Sequence, residues 1–237
     1  MKKTVALTRA RDDAARSAAL LRSRGFFAAL APAVEIRATG ALPPHGRFDA
    51  VAATSAKAIA LLAPAARAAI IGPPLHVVGG EAATAAAAAG IAIASEAAPD
   101  VAALIEALID RLAPHSRVLY LAGRDRNNAL EAALSRAGHL VTPVEVYAAE
   151  ARAAWSGEEA RAVAGCVAAL HYSRRSAALA AQLAERAGLA GPFLALLHVC
   201  LSADVGEPLR AQGAPRLVFA SEPREDRLIE ALERALT

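Results

Sequence analysis

The sequence has little cysteine and few aromatic residues. Cys166 and Cys200 are the only cysteines among 237 residues, and aromatic residues make up 4% of the chain. Two cysteines form no disulfide framework and no metal-ligand spacing. Nucleic-acid-binding modules stack bases on aromatic side chains, and no Lys/Arg block here is interleaved with aromatics. We therefore expect no nucleic-acid partner.

Long apolar segments are also absent. The longest uncharged apolar run, residues 82–94, has 13 residues, whereas a membrane span needs about 20. The first residues run into Arg9 and Arg11 without the apolar core or cleavage site of a signal peptide. We therefore expect a cytoplasmic protein with no membrane partner. The net charge of +3 is small and is compatible with a small anionic ligand.

The chain repeats a pattern of buried strands, helices and glycines. An apolar run, a helix that ends at glycine and a second extended run recur about 110 residues later. Glycine is the residue that commonly ends a helix. The matched segments are residues 5–9, Gly25 and residues 32–36 in the first copy, and residues 118–123, Gly138 and residues 143–147 in the second.

Two further units match in the same order. Residues 48–55 correspond to residues 166–173, and residues 75–80 correspond to residues 197–202. Strands that alternate with helices predict an α/β fold, with parallel sheet and helices on both of its faces. His76 and His198 occupy matched positions, expected just before matched strands, which favours a structural role over a catalytic one.

The two similar extended segments also predict how the chain is divided. If each crosses between lobes, the first lobe is discontinuous and the second lies inside it. We therefore predict two lobes of parallel sheet with flanking helices, joined by a two-strand linker. The first lobe comprises residues 1–34 plus 150–237, the second residues 38–143, and the linker strands residues 32–37 and 143–149.

Polar and basic residues follow the predicted strands. Ligands of parallel sheets bind beyond the carboxyl ends of the strands, where helix N-termini attract anions. Serine at such a place is also the ordinary N-cap residue, but the repeated placement favours a polyanionic ligand. The candidate binding residues are Arg9, Ser55, Lys57, Gly79, Arg124, Arg126, Ser173, Arg174 and Ser202.

Tyr147 is a polar residue at the end of the second linker strand. Its ring either packs in the core or presents its hydroxyl to a ligand. A phenol with the usual pKa of ~10 is protonated at neutral pH and can donate a proton. The sequence has no dinucleotide fingerprint, P-loop, metal-ligand cluster or hydrolase elbow. We therefore expect no cofactor and no metal.

The ordered set of motifs resembles the uroporphyrinogen-III synthase family over nearly the whole chain. Each motif is weak alone, and the order makes the set fairly specific. The motifs are Leu7-Thr8-Arg9, Pro32-x-x-x-Ile36, residues 49–55 with Lys57 and Ile59, residues 77–79, Gly123 with Leu130, Leu134 and Gly138, Val144-x-Val146-Tyr147, Tyr172-Ser173-x-x-Ser176, and residues 201–223.

The resemblance implies a lyase of tetrapyrrole (haem) biosynthesis. Members of the family have two α/β lobes with the active site in the cleft between them, and act as monomers without a cofactor. They dehydrate and cyclise hydroxymethylbilane, which carries eight carboxylates, and invert its last pyrrole ring through a spirocyclic intermediate. The tyrosine of the family that helps the hydroxyl group to leave corresponds to Tyr147 here.

The chain departs from the family pattern at two places. Ala10 stands where the family usually has proline, and Ala82 stands where it has threonine. Thr84 lies two residues later and is retained as a binding candidate. The main alternative is a non-catalytic, two-lobed protein that binds a small anion. A flavodoxin-like flavin protein is a third hypothesis, which the low aromatic content does not favour.

Overall fold

The computed structural model describes residues 3–236. Met1, Lys2 and Thr237, with which the predicted first lobe begins and ends, lie outside the described residues. The chain divides into two compact units. Unit 1 comprises Met1–Glu35 and Glu150–Thr237, and unit 2 comprises Ile36–Ala149.

Unit 1 contains a parallel sheet of strand order β10-β9-β8-β1-β2. Helices follow its strands, as expected for buried strands joined by crossover helices. The elements are β1 (Thr4–Leu7), α1 (Arg11–Ser23), β2 (Phe27–Leu30), α7 (Gly157–Ala164), β8 (Ala168–His171), α8 (Arg174–Arg186), α9 (Ala190–Leu194), β9 (Leu197–Cys200), α10 (Ala203–Ala211), β10 (Leu217–Phe219) and α11 (Glu225–Leu236).

Both faces of the unit 1 sheet are covered by helices. Alternate strand residues point to opposite faces, so Leu7 and Leu170 pack against α1 and α11. Ala169 and Cys200 belong to the other core cluster, which includes residues of α8 and α10. The apolar runs are therefore buried on both sides, which is why they lack the alternation of a half-exposed strand.

A pair of histidines is buried in unit 1. His171 and His198 are fully buried, and Nε2 of His171 lies 3.0 Å from Nδ1 of His198. The ring of Phe193 packs against both. Burial lowers the pKa of His198 to about 4 and the pKa of His171 well below its ordinary value. His198 lies inside β9, so the expectation that it precedes a strand is wrong.

Unit 2 contains a second sheet, of strand order β3-β7-β6-β4-β5. The pairs β4–β5, β4–β6 and β6–β7 are parallel. The elements are β3 (Val34–Ala38), β4 (Ala50–Ala53), α2 (Ala56–Ala60), α3 (Pro64–Arg67), a 3-10 helix (Ala68–Ile70), β5 (Leu75–Val77), α4 (Gly79–Ala88), α5 (Val101–Arg111), β6 (Arg117–Gly123), α6 (Ala129–Arg136) and β7 (Leu140–Ala151).

Core clusters also lie on both faces of the unit 2 sheet. Val51 and Leu119 pack in the cluster that includes α2 and α4, whereas Val118 packs with α5 and α6. His76 lies inside β5 and is buried, so it too does not precede its strand. The predicted α/β class, with two mostly parallel sheets flanked by helices, is confirmed.

The two copies of the repeat differ after their first helix. In the first copy the extended run contains two strands, with β2 in the sheet of unit 1 and β3 in that of unit 2. Pro32 lies at the break between them and has no N–H to donate to a ladder. In the second copy the corresponding run is one strand, β7, of 12 residues. No helix formed by residues 3–236 is long and apolar enough to cross a membrane.

Candidate active site

The polar candidates lie where parallel strands end. In each sheet the carboxyl ends of parallel strands meet at one edge. We call the residues around the ends of β1, β8 and β9 the unit 1 rim, and those around the ends of β4, β5 and β6, together with Glu145 and Tyr147 of β7, the unit 2 rim. Arg9, Ser173, Arg174 and Ser202 lie in the unit 1 rim, and Ser55, Lys57, Gly79, Arg124, Arg126 and Tyr147 in the unit 2 rim.

Tyr147 lies within β7, which continues to Ala151, so the expectation that it ends a strand is wrong. Its ring lies against the end of β6. The pairing of β6 with β7 shifts register between Ala122 and Gly123, so that Gly123 pairs with Tyr147. A Cβ atom added at Gly123 would lie 2.6 Å from Cζ, 2.7 Å from Cε2 and 2.8 Å from the hydroxyl oxygen of Tyr147. The ring therefore covers the α-carbon of Gly123, and Tyr147 is half-buried.

The hydroxyl of Tyr147 differs from those of the other two tyrosines. Tyr120 is buried in β6, and its hydroxyl is 2.8 Å from Oγ1 of Thr54. Burial raises the pKa of Tyr120, and the hydrogen bond with Thr54 acts in the opposite direction. Tyr172 donates a hydrogen bond to Glu225 over 2.7 Å. The Tyr147 hydroxyl has no hydrogen-bond partner among residues 3–236.

The arginines of the unit 2 rim are paired with carboxylates. Arg126 donates to Glu131 over 2.8 Å, to Glu145 over 3.2 Å and to the carbonyl of Gly123 over 3.1 Å. Burial opposes the charge of Arg126, but the hydrogen bonds and charges of the two carboxylates outweigh it and raise its pKa. Arg124 donates to Glu145 over 3.3 Å and stays exposed. Arg124 is therefore the more accessible of the two cations.

Three further candidates lie at helix starts in unit 2. Ser55 caps α2 and accepts a hydrogen bond from the backbone of Lys57. Gly79 begins α4 with a φ of +78°, a conformation that favours glycine. The amide of Gly79 donates to the carbonyl of Ala98 over 2.9 Å. Within the described residues no side chain caps α4, so the next amide, that of Gly80, lies at the positive end of the helix dipole.

Thr84 and Ala82 lie in α4 itself. Ala82 is buried in the core of unit 2, whereas Thr84 is exposed. The hydroxyl of Thr84 donates to the carbonyl of Gly80 over 2.9 Å, one turn earlier in the helix. The helix starts at Gly79, so Thr84 is in its second turn rather than at its N-terminus.

The unit 1 rim is held by a network around Glu225. Arg9 donates to Glu225 over 3.2 Å and lies over the ring of Tyr172, with its guanidinium carbon 4.1 Å from the ring centre. Ser17 and Tyr172 donate to the same carboxylate oxygen. Burial is the main cause that raises the pKa of Tyr172, and Glu225 adds to it. Arg9 and Tyr172 therefore stabilise each other.

The serines of the unit 1 rim are N-caps. Ser173 accepts a hydrogen bond from the backbone of Ser176 at the start of α8, and Ser202 caps α10 in the same way. Arg174 forms an exposed ion pair with Asp204 over 2.7 Å. Both serine oxygens thus already accept one hydrogen bond. The hydroxyl of Ser173 also donates to that of Ser176 over 3.0 Å, whereas Ser202 retains its proton to donate to a ligand.

The sequence reasoning missed the partners of the candidate residues. Glu131, Glu145, Thr54 and Glu225 bind the candidate arginines and the other tyrosines. Glu145 is the x of the Val-x-Val-Tyr motif, and this closeness in sequence to Tyr147 was an available signal. Glu225 is 216 positions from Arg9, and no local pattern links the two.

One groove of unit 2 lies away from this rim. A groove of about 590 Å³ is lined by Arg47, Asp49 and Pro74, which precede β4 and β5. Within residues 3–236 no three His, Cys, Asp or Glu side chains form a group that could hold a metal ion. The unit 2 rim combines an unpartnered phenol, an exposed cation and an uncapped helix start. Such a rim can bind a carboxylate and donate a proton to a leaving group.

Comparisons with known proteins point to one family. The chain matches the model of HEM4, uroporphyrinogen-III synthase HemD, over residues 15–230. Uroporphyrinogen-III synthetase from Helicobacter pylori 26695 is 15% identical, with a TM-score of 0.58 and 100% of both chains covered. Uroporphyrinogen III synthase from Thermus thermophilus is 18% identical, with a TM-score of 0.41 and 100% of both chains covered. No curated protein is similar enough in sequence to count as a match. At these identities the structural likeness to the Helicobacter protein supports the fold.

Proposed function

Because the chain belongs to the uroporphyrinogen-III synthase family, a family of lyase-type enzymes of tetrapyrrole biosynthesis, we propose that it converts hydroxymethylbilane to uroporphyrinogen III. The hydroxyl group of the substrate leaves as water, and the ring closes with the last pyrrole inverted. The net reaction is a dehydration, so it requires no redox cofactor. The observation that carries the role of Tyr147 is its hydroxyl, which has no partner among the described residues.

Tyr147 acts as the acid in this proposal. Its phenol donates a proton as the carbon–oxygen bond of the hydroxymethyl group breaks, and the hydroxyl departs as water. The substituted α-carbon of the last pyrrole then bonds to the carbon that has lost the hydroxyl group, which gives the spirocyclic intermediate, and the bond from this α-carbon to its neighbouring methylene bridge breaks. That methylene carbon bonds to the free α-carbon of the same pyrrole, and the proton lost from this carbon restores the phenol. Water is the only other product, so the balance of atoms is complete. General-acid assistance of this kind is worth at least about tenfold in rate.

The substrate carboxylates bind to the basic and polar residues of the two rims. Arg124 and Arg174 are exposed cations, and the start of α4 offers the amide of Gly80. Arg9, Ser55, Lys57, Gly79, Thr84, Arg126, Ser173 and Ser202 complete the proposed binding set. All three arginines Arg9, Arg124 and Arg126 are paired with carboxylates, but Arg9 and Arg126 are more buried than Arg124, so we assign them smaller shares of the binding energy.

The organisation predicted from the sequence is part of the proposal. Residues 1–34 plus 150–237 and residues 38–143 form two lobes, with residues 32–37 and 143–149 as linker strands. The enzyme is a cytoplasmic monomer that binds no nucleic acid. Gel filtration with light scattering checks the oligomeric state, and cell fractionation checks the location.

The decisive experiment supplies freshly prepared hydroxymethylbilane to the purified protein. The product is oxidised and the porphyrin isomers are separated by chromatography. We expect mostly the type III isomer, with the type I isomer in the protein-free control, because the unassisted reaction closes without inversion. Only type I in both tubes, with the bilane bound by the protein, would instead support a non-catalytic binding protein.

A further inference from the structure

The glycine that ends β6 is required for space rather than for backbone conformation. Nine other glycines of the described chain have positive φ, and Gly123 is not among them. Any residue could therefore adopt its backbone angles. What excludes a side chain is the ring of Tyr147, because an added Cβ would lie 2.6 Å from Cζ. Real Cβ atoms essentially never approach another heavy atom more closely than 3.0 Å.

The crowding concerns the reactive end of the ring. The three atoms nearest to the added Cβ are Cζ, Cε2 and the hydroxyl oxygen, at 2.6, 2.7 and 2.8 Å. These atoms form the hydroxyl end of the side chain. A methyl group at Gly123 would therefore push the phenol hydroxyl away from its place, while the Cα of Tyr147 stays in β7.

The backbone on both sides of the contact is held in place. The amide of Arg124 donates to the carbonyl of Tyr147 over 2.9 Å, which ties the two strands together beside the ring. Arg126 donates to the carbonyl of Gly123, and Glu131 and Glu145 hold its guanidinium. Because the strand ends are fixed in this way, the ring has to yield to an added methyl group.

We propose that Gly123 is a positioning residue for Tyr147, and that its missing side chain lets the phenol hydroxyl lie at the end of β6 where it can donate a proton. The proposal rests on the proposed function only for the role of that proton. Gly123 itself touches no reacting atom. Its effect on turnover passes entirely through the place of the Tyr147 hydroxyl.

The test combines Gly123→Ala with ring signals of the full-length protein. The chain has three tyrosines, so protein labelled with ring-¹³C tyrosine gives few signals, and Tyr147→Phe identifies that of Tyr147. In the wild-type protein we expect a nuclear Overhauser effect between the Tyr147 ring and the Gly123 α-protons. In Gly123→Ala we expect the Tyr147 signals to shift and the Tyr172 signals to stay.

Kinetics then separate positioning from a general loss of structure. We expect Gly123→Ala to lower kcat by at least about tenfold, as Tyr147→Phe does, with KM changed by less than about twofold. In the Tyr147→Phe background the same change should cost less than about twofold more, because the ring then carries no proton to misplace. Two independent losses would multiply.

Gly206→Ala is the matched control for crowding. A Cβ at Gly206 would lie 2.9 Å from the ring of Phe219 in unit 1, so this variant suffers a similar clash elsewhere. We expect it to lower the melting temperature while the Tyr147 signals stay unchanged.

Four outcomes decide the matter. Absence of the Overhauser effect in the wild-type protein would overturn the proposal, and this test does not depend on whether the variant folds. Unchanged Tyr147 signals in Gly123→Ala would also overturn it. Multiplying losses in the double variant would overturn it as well. Signals that shift while both Gly123→Ala and Tyr147→Phe keep full turnover would uphold the placement of the ring and overturn the acid role of Tyr147.

Discussion

Tyr172 in unit 1 directly follows β8 and Tyr147 in unit 2 lies beside the end of β6, but the surroundings of the two tyrosines are opposite. The hydroxyl of Tyr172 is bound to Glu225, and its ring is covered by the guanidinium of Arg9. The ring of Tyr147 rests on a glycine, and its hydroxyl has no partner within residues 3–236. A tyrosine that is satisfied by its own protein stabilises the fold, whereas one left unsatisfied can act on a ligand.

The rims differ less at their helix starts than at their tyrosines. Ser173 and Ser202 cap α8 and α10 in unit 1, and Ser55 caps α2 in unit 2. Within the described residues no side chain caps α1 in unit 1 or α4 in unit 2. An uncapped start costs stability, typically about 1 kcal/mol, and can leave amide groups available to an anion. Each rim therefore combines capped helix starts with an uncapped one, and the difference between the units lies in their tyrosines.

Lowering the pH should give the largest difference in stability between the units, because the buried pair of His171 and His198 lies in unit 1. Both folded pKa values are lowered from 6.5, that of His198 to about 4. Below pH 6.5 the unfolded chain takes up protons that the folded chain does not, so stability is complete above that pH and falls as the pH falls towards 4. Each histidine costs about 1.4 kcal/mol per pH unit in this window.

The only tryptophan, Trp155, reports on this region, because its ring centre lies 5.9 Å from that of Phe193 beside the pair. We expect its fluorescence to give denaturant midpoints that decrease steadily from pH 6.5 to 4. His198→Gln should flatten this dependence and the exposed His45→Gln should not. Some dependence of the denaturant midpoint on pH will remain in His198→Gln, since burial also lowers the pKa of His76 in unit 2. Equal slopes in wild type and His198→Gln would contradict the assignment.

Replacing each of the two tyrosines by phenylalanine should give the second largest contrast between the units. Tyr147→Phe removes the proposed acid, and we expect turnover to fall by at least about tenfold with little change in KM. Tyr172→Phe removes a hydrogen bond to a carboxylate, and we expect it to lower the free energy of unfolding by about 1–2 kcal/mol while turnover stays within about twofold. Steady-state kinetics and urea unfolding of both variants check the contrast. Unchanged turnover in Tyr147→Phe would remove Tyr147 from the mechanism.

Replacing the exposed arginines of the two rims should give the smallest effect, which is a change in KM. Arg124→Ala in unit 2 and Arg174→Ala in unit 1 each remove one charge, and we expect KM to rise by about threefold to tenfold at low salt. The rise should shrink at high salt, because exposed charges are screened. Arg210→Ala is the control, since Arg210 is exposed and pairs with Glu207 outside both rims. If none of the three variants changes KM at any ionic strength, a carboxylate-binding role of Arg124 and Arg174 is excluded.

Local patterns in the sequence were enough to predict the α/β class and where β1, β4, β5, β6, β8 and β9 end, but not the end of β7, which continues past Tyr147 to Ala151. The runs at β1, β4, β6 and β8 do not alternate between apolar and polar residues, because helices cover both faces of each sheet. The break between β2 and β3 was not predicted, since the run around Pro32 is apolar throughout and the two strands belong to different sheets.

The candidate site was less predictable than the fold. The helix-capping role of Ser173 follows from local sequence, but the pairing of Arg9 with Glu225 depends on chain segments that are distant in sequence. The contact between Gly123 and Tyr147 depends on a one-residue shift in the pairing of β6 with β7, which places the ring opposite Gly123. Nothing in the amino-acid composition of the two strands indicates such a shift.

The order of strands in unit 1 has a consequence for synthesis of the chain. β1 lies between β2 and β8 in its sheet, and β8 follows about 160 residues later. Unit 2 is contiguous from Ile36 to Ala149, so a nascent chain can complete its sheet before β8 has been made. Until then one edge of β1 is open to pairing with other chains. β1 thus emerges from the ribosome before the other strands of its sheet but is among the last to be enclosed, so its open edge needs protection until β8 is made.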